Sequence, residues 1–324
     1  MKRRDFITLV GGAAAWPLAA RAQQRLPTIG FLGPSSAGGL ERNVEDFRRG
    51  LGDTGFVVGR NLVVEYRWAE GRYERLPALA AELVRHPVAV VVAAGITAAV
   101  AAKAATATIP IVFYTGSDPT RFGLVASLNK PDGNATGAVY WSKQLGAKQF
   151  ELLHELMPKA ETIAFLVNGQ NAATEGEAGE MQAAAGALGH KLLIAKASTE
   201  EDLAGAFAIV VRERAGAVIL QADPFFYSRR GRLAVLAARH GISTMSSSRE
   251  FPMTGGLMSY GASIPEAARL VGVYTGRILK GERPADLPVQ QATKIELVIN
   301  LGTAKTLGVE VPPMLLARAD EVIE

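Results

Sequence analysis

The stretch Val88-Ala-Val-Val-Val-Ala-Ala-Gly-Ile-Thr97 decides the fold class of this protein. Its first seven residues are all Val or Ala, which is typical of a strand buried on both faces of a parallel sheet. Gly95-Ile96-Thr97 then opens a segment that is predicted to be helical to residue 107. A buried strand that leads directly into a helix is the unit from which doubly wound α/β sheets are built.

The same alternation of strands and helices continues on both sides of this stretch and restarts near residue 143. Apolar runs predict strands at 28–33, 61–68, 88–94, 110–114, 135–140, 162–167, 191–195, 217–220, 243–247, 256–260 and 295–299. Helical patterns separate them at 40–54, 73–85, 97–107, 143–157, 172–188, 199–212, 227–240, 265–279 and 303–307. Because strand–helix–strand crossovers are right-handed, we predict an α/β fold of two doubly wound parallel-sheet lobes joined by a multi-strand hinge.

The composition agrees with this fold and excludes several classes of protein. The chain has 324 residues, of which 48% are hydrophobic and 20% are charged, so intrinsic disorder is excluded. It contains no cysteine, which excludes disulfide bonds, thiolate metal sites and a cysteine nucleophile. The net charge of +4 comes mostly from residues 1–22, which carry four basic residues and one acid. We therefore expect no nucleic-acid partner.

Residues 1–22 are predicted to be a cleaved export signal. Arg3-Arg4-Asp5-Phe6 precedes a short apolar run, and Ala20-Arg21-Ala22 follows as a cleavage site. Paired arginines ahead of a weakly hydrophobic, Gly- and Ala-rich run favour the twin-arginine route. The alternative, a membrane anchor, needs about 20 apolar residues, and this run is shorter and broken by Gly and Pro. Without a cysteine to carry lipid, we expect a free mature chain in the periplasm, with no insertion into the membrane.

Polar residues collect where the predicted strands end, which is where ligands bind in open α/β sheets. The predicted ligand-binding residues are Ser35, Ser36, Gly95, Thr97, Thr115, Ser117, Asp118, Asn168, Asp223, Ser247 and Tyr260. The helix start at Gly95 and Thr97 suits an anion such as a carboxylate. Asp118 and Asp223 suit an ammonium or hydroxyl group. Since each aspartate precedes a proline, both also fit helix N-caps, and that alternative stays open.

Sequence motifs of catalysis are absent. The chain has no nucleotide phosphate loop, no G-x-G-x-x-G after the first strand, no G-x-S-x-G and no H-E-x-x-H. Its four histidines have no metal-ligand spacing. We therefore expect a protein that is not an enzyme, with no catalytic residues, no metal and no cofactor.

Several motifs together carry a resemblance to a known family. They are the leader Arg3-Arg4-Asp5-Phe6, Val112-Phe-Tyr-Thr-Gly-Ser-Asp118-Pro119, Asn134-Ala-Thr-Gly137, Gly256-Leu-Met-Ser-Tyr-Gly261, Glu296-Leu-Val-Ile-Asn300 with the following Leu-Gly-Thr-Ala-Lys-Thr-Leu-Gly308, and Leu315-Leu-Ala-Arg-Ala-Asp320. The chain resembles the tryptophan/tyrosine-type solute-binding proteins of bacterial ABC importers along its whole mature length. One departure is Gly116-Ser117, where relatives often carry a bulkier pair.

This resemblance implies a type I periplasmic-binding-protein fold with ligand in the cleft and crossings near 140–142, 260–263 and 287–293. It places one lobe at 23–141 with about 264–290, and the other at 142–263 with about 291–324. The implied function is capture of a small polar or amino-acid-like ligand by hinge closure, with an ABC permease as transient partner of a monomer. A ligand-sensing subunit of a membrane receptor, or an exported enzyme on the same fold, are the alternatives.

Overall fold

The structure is a computed structural model that describes residues 26–140, 145–292 and 294–324. The predicted export signal lies outside these residues. The strands are, in chain order, β1 (Thr28–Gly33), β2 (Val63–Trp68), β3 (Val90–Ala94), β4 (Ile111–Thr115), β5 (Ala135–Val139), β6 (Thr162–Val167), β7 (Lys191–Lys196), β8 (Ala217–Leu220), β9 (Ser243–Ser246), β10 (Met258–Ala262), β11 (Gln290–Gln291), β12 (Ile295–Asn300) and β13 (Glu321–Ile323).

The helices lie between these strands in the alternation that the sequence predicts. They are α1 (Glu41–Asp53), α2 (Leu76–Arg85), α3 (Ile96–Ala105), α4 (Leu145–Leu156), α5 (Thr174–Ala187), α6 (Glu200–Arg212), α7 (Pro224–Ser228), α8 (Arg230–His240), α9 (Glu250–Met253), α10 (Ile264–Leu279), α11 (Leu301–Leu307) and α12 (Pro313–Leu316). No helix in the described ranges is long and apolar enough to cross a bilayer.

Two separate sheets organise the chain, which confirms the predicted fold class. The first sheet has six strands in the order β11-β5-β4-β3-β1-β2, and all of its strand pairs are parallel. The second has seven strands in the order β13-β12-β10-β9-β8-β6-β7. We call each sheet, with the helices packed on its two faces, the first lobe and the second lobe.

The Val- and Ala-rich run at 88–94 contains strand β3 of the first sheet. Strand β3 is buried along its whole length, between β1 and β4. Helices α2 and α3 cover one face of the sheet, while α1 and α10 cover the other. Burial on both faces explains why β3 contains only Val and Ala, since no position on it meets water.

Two strands of the second sheet depart from the predicted parallel arrangement. Strand β12 pairs antiparallel with β10, whereas the other pairs in this sheet are parallel, so β12 and its neighbour β13 both run against the remaining five strands. Strand β11 runs parallel to β5 and leads into β12 without an intervening helix. Strand β12 therefore begins beside the end of β10 and runs in the direction opposite to it.

The helix predicted at 227–240 is two helices, α7 and α8, which share the residue Arg229 between them. Helix α7 begins earlier than predicted because the Asp223 side chain accepts a hydrogen bond from the amide of Phe225 and Pro224 occupies the first helical turn. Arg229 departs from helical geometry, with φ −112° and ψ 15°, and ends this short helix.

Helices α1 and α10 cross at a contact that only glycine permits. A Cβ atom on Gly50 would lie 1.9 Å from the backbone oxygen of Arg269, and one on Gly272 would lie 2.1 Å from that of Phe47. Both distances are far below van der Waals contact, so the two backbones approach each other directly. This contact fixes α10 on the first lobe, although α10 follows the strands of the second lobe in the sequence.

We expect Gly50→Ala and Gly272→Ala each to lower the free energy of unfolding by about 1–3 kcal/mol, because the added methyl group must push the two helix backbones apart. Urea unfolding followed by circular dichroism measures the change. Gly52→Ala is the matched control, since a Cβ at Gly52 in α1 meets no atom within 4 Å. It should leave stability unchanged or raise it by up to about 1 kcal/mol. Equal losses in all three variants would contradict the close helix contact.

Candidate functional site

The ends of several parallel strands from both lobes face one gap, and the lobes are in contact across it. A Cβ atom on Gly95, which has φ 86°, would lie 2.9 Å from Pro224 Cγ of the second lobe. The hydroxyl of Thr97 accepts a hydrogen bond from the amide of Ala172 at 3.2 Å. The helix N-terminus predicted to hold an anion is therefore covered by the opposite lobe.

A buried carboxylate, Asp223, lies at the centre of this contact. It accepts hydrogen bonds from the Tyr73 hydroxyl at 3.0 Å, Asn171 Nδ2 at 2.7 Å, Asn168 Nδ2 at 3.2 Å and the amide of Phe225 at 2.8 Å. Tyr73 belongs to the first lobe and the other donors to the second. Burial raises the pKa of Asp223, and these hydrogen bonds partly offset that rise. The four donors occupy the acceptor capacity of the carboxylate and join the lobes.

A second acid, the half-buried Glu177, bridges the lobes nearby. Its two carboxyl oxygens accept one hydrogen bond each, from the Ser117 hydroxyl at 2.7 Å and from Gln221 Nε2 at 2.8 Å. Ser117 comes from the first lobe, whereas Gln221 follows β8 of the second. Burial raises the pKa of Glu177 to about 7. An ion pair between Arg121 and Glu180 crosses the gap closer to solvent.

A narrow cavity lies between the lobes beside Asp223. Four of its lining residues each bury a polar atom that has no hydrogen-bond partner among the described residues. These atoms are Asn43 Oδ1, Tyr114 Oη, Tyr227 Oη and Arg230 Nε. Burial raises the pKa of Tyr114, and the neighbouring Asn43 side chain partly offsets that rise without reaching hydrogen-bond geometry. Leaving a buried polar group unpaired costs about 1–3 kcal/mol, so a cluster of such groups around one cavity indicates a site for a polar ligand.

A second, roomier cavity adjoins the first at the end of β8. The two cavities share the lining residues Leu220, Ala222 and Ser247. The second is bounded by helices α4 and α5 and includes Glu177 in its wall.

The structure brings several of the predicted site residues to this gap. Asn168, Asp223, Ser117, Thr97 and Gly95 all take part in contacts between the lobes or in the Asp223 cluster. Ser247 lies in the walls of both cavities. Ser35 lies in the buried loop after β1, and its hydroxyl has no partner among the described residues.

The remaining predicted residues make local contacts. Ser36 Oγ accepts from the amide of Gly39, and Thr115 Oγ1 accepts from that of Ser117. Asp118 accepts from the amide and the hydroxyl of Thr120, which is the N-cap arrangement that the sequence left open. The backbone oxygen of Tyr260 accepts from Gln149 Nε2, and its ring packs on the core of the second lobe.

Sequence reasoning missed the residues with unpaired atoms, because they lie inside strands and helices and not in loops. Tyr114 is the one hydroxyl-bearing aromatic residue of buried strand β4. Tyr227 and Arg230 follow Asp223-Pro224 by three to seven positions, on the helices that this pair begins. The sequence feature that could have identified Tyr114 is its hydroxyl group, which follows three apolar residues in the same buried strand.

Comparison with known proteins adds the family context. The model of the family described as ABC transporter substrate binding protein matches residues 29–323. A tyrosine-binding protein of Clostridioides difficile (strain R20291) is 25% identical over 272 residues, which is 84% of this chain and 78% of that protein.

Two solved structures share the fold over nearly the whole chain. A conserved domain protein from Vibrio cholerae has a TM-score of 0.84 at 26% identity, covering 92% of this chain and 100% of its own. An ABC domain from Streptococcus pneumonia, solved in complex with L-Trp, has a TM-score of 0.82 at 24% identity, covering 92% of this chain and 99% of its own.

We expect Glu177 to make the protein less stable as the pH rises from about 4.5 to about 7. Its pKa of about 7 in the folded protein exceeds the ordinary value of 4.5, so protonation favours the folded state at low pH. That contribution is lost as the pH rises through 7. Glu177→Gln should match the wild type near pH 4.5 and exceed its free energy of unfolding by roughly 3 kcal/mol at pH 8.

Urea unfolding at several pH values measures this difference. The control is Glu175→Gln, which removes an exposed acid from the first turn of the same helix α5. It should show no comparable gain in stability at pH 8. A pH-independent difference for Glu177→Gln would show that this carboxyl group is charged in the folded protein.

Proposed function

The chain belongs to the ABC transporter substrate-binding protein family, and from this premise we propose that it is the periplasmic solute-binding component of an ABC import system. It captures a small polar or amino-acid-like ligand between its lobes and is a binding protein rather than an enzyme. The observation that carries the proposal is the cavity between the lobes, whose walls contain the unpaired atoms of Asn43, Tyr114, Tyr227 and Arg230.

We propose hinge closure as the mechanism of capture. The moving units are residues 23–141 with 264–290, and residues 142–263 with 291–324. Closure brings Tyr73 to Asp223 and Ser117 to Glu177, so both contacts form only when the lobes meet. A shift from 1:99 to 99:1 in favour of the closed form requires about a 10⁴-fold preference of the ligand for that form, or about 5.5 kcal/mol. A few hydrogen bonds to charged groups, at about 1.5–3 kcal/mol each, supply this preference.

The relatives support the class of ligand. One is named for binding tyrosine, and another is solved with L-Trp. The cavity of this chain has aromatic walls that suit such a ligand, formed by Tyr114, Tyr140, Phe226 and Phe251. Aromatic side chains bury large areas at low entropic cost and stack on flat ligands.

The remaining parts of the proposal concern location and partners. Residues 1–22 act as a twin-arginine export signal, and the mature monomer works in the periplasm. Its closed form is recognised by the permease of the importer, with which it associates transiently. No nucleic acid and no cofactor take part.

Small-angle X-ray scattering tests closure. We expect a solute identified by thermal-shift screening to lower the radius of gyration, because binding draws the lobes together. Tyr73→Phe, which removes the hydroxyl that reaches Asp223, should weaken binding of the same solute. Identical scattering profiles with and without a saturating, tightly bound solute would overturn the mechanism.

The unpaired hydroxyl groups of the cavity give a second test. Tyr114→Phe and Tyr227→Phe each remove a buried hydroxyl that has no partner among the described residues. The free protein should therefore keep or slightly increase its free energy of unfolding, while binding of the solute weakens by about 2- to 10-fold. Calorimetric titration and urea unfolding measure the two effects.

Tyr274→Phe is the matched control, because the Tyr274 hydroxyl donates to the backbone oxygen of Pro288 at 2.8 Å, away from the cavity. This variant should lose about 1 kcal/mol of stability and keep its affinity. If the cavity variants behave like Tyr274→Phe, their hydroxyl groups serve the fold and do not contact ligand.

A further inference from the structure

Arg230 is a cation of the cavity wall that forms no ion pair with a described carboxylate. Its Nη1 donates to the backbone oxygen of Tyr227 at 2.9 Å, and its guanidinium lies over the Tyr227 ring, 4.8 Å from the centroid. Its Nε is buried without a hydrogen-bond partner. The Nε of Arg229 also lacks a hydrogen bond, but Arg229 and Arg232 both pair with Glu200, at 3.6 and 2.8 Å.

The guanidinium is therefore held in position while part of its hydrogen-bonding capacity stays free. A half-buried cation with an unpaired buried donor favours an anionic partner, since the partner supplies both the opposite charge and the hydrogen bond lost to water. The planar fork of arginine fits a carboxylate through charge-assisted hydrogen bonds. Of the ligand groups that reach this wall, a carboxylate matches Arg230 best.

The acids near the cavity offer no comparable place for an ammonium group. Asp223 lines the cavity, but four protein donors already occupy its oxygens. Glu177 belongs to the adjoining cavity, and each of its oxygens accepts a hydrogen bond. Glu250 is buried, accepts from the hydroxyl of Ser248 through Oε2 and lies near enough to Tyr227 to add to the rise that burial causes in the pKa of that residue, but it does not line the cavity. An α-ammonium group buried here would displace an existing hydrogen bond or stay unpaired.

The rest of the wall is aromatic, with neutral polar tips. Tyr114, Tyr140, Phe226 and Phe251 surround the space, and the Asn43 amide oxygen and the two unpaired tyrosine hydroxyls face polar ligand atoms. We propose that the ligand is an aromatic carboxylic acid without an α-ammonium group, bound through its carboxylate to Arg230. This inference rests on the proposed function and narrows its ligand class.

Matched pairs of compounds test the inference in calorimetric titrations of the wild-type protein. The probes are 3-phenylpropanoate against L-phenylalanine, 3-(4-hydroxyphenyl)propanoate against L-tyrosine, and 3-phenylpropanamide as the uncharged analogue. We expect each deaminated acid to bind at least about tenfold more tightly than its amino acid, because no free acid receives the ammonium group. The amide should bind about 10- to 100-fold more weakly than the acid, since it lacks the charge that Arg230 pairs with.

Variants of two arginines on the same helix sharpen the result. Arg230→Gln should weaken binding of the acids by about 10- to 100-fold and leave binding of the amide unchanged. Arg232→Gln, which removes an exposed arginine paired with Glu200, should change neither. The comparison of probes on the wild type stands even if Arg230→Gln fails to fold.

Failure of this inference is distinguishable from failure of the proposed function. If an amino acid binds as tightly as its deaminated partner, or if the ligand found by screening carries no carboxylate, the ligand class is wrong and solute binding stands. If no solute of any class binds and compacts the protein in solution, both are wrong.

Discussion

A carboxylate buried between two halves of a molecule is stable only if donors surround it. Asp223 meets that constraint with donors from both lobes, and the Tyr73 hydroxyl supplies the one from the first lobe. Removing one partner from a buried charge leaves the full desolvation cost of that charge. The contact between the lobes, and with it the shape of both cavities, therefore depends on this cluster.

The gap between the lobes contains two kinds of polar residue. Asp223, Glu177 and their donors are saturated by one another and join the lobes. Asn43, Tyr114, Tyr227 and Arg230 surround the cavity with atoms that the protein leaves unpaired. In the proposed mechanism, the first group holds the lobes together and the second contacts the ligand. Asp223 follows a strand end and was predicted to contact ligand, but in this structure protein donors occupy its oxygens.

The sequence was a good guide to the fold because parallel strands buried on both faces have a distinctive composition. Strand β3, made only of Val and Ala, is the clearest example. Polar residues after such strands are expected to face the cleft, and Asp223 does lie there, within reach of Tyr73 of the opposite lobe. The sequence could not identify Arg230 or Tyr227, whose position depends on the break between α7 and α8 and on the approach of the opposite lobe. The antiparallel entry of β12 likewise follows from the path between the sheets and leaves no local pattern.

The placement of α10 on the first lobe has a consequence for how the chain is made. Its partner α1 is synthesised more than two hundred residues earlier, and the ion pair between Asp53 and Arg269 spans 216 positions. While the ribosome is still translating the second lobe, α1 can pack on the first sheet but lacks the cover that α10 gives it. Native assembly of both halves therefore waits for the last sixty residues, and loop-closure entropy over such distances slows that step.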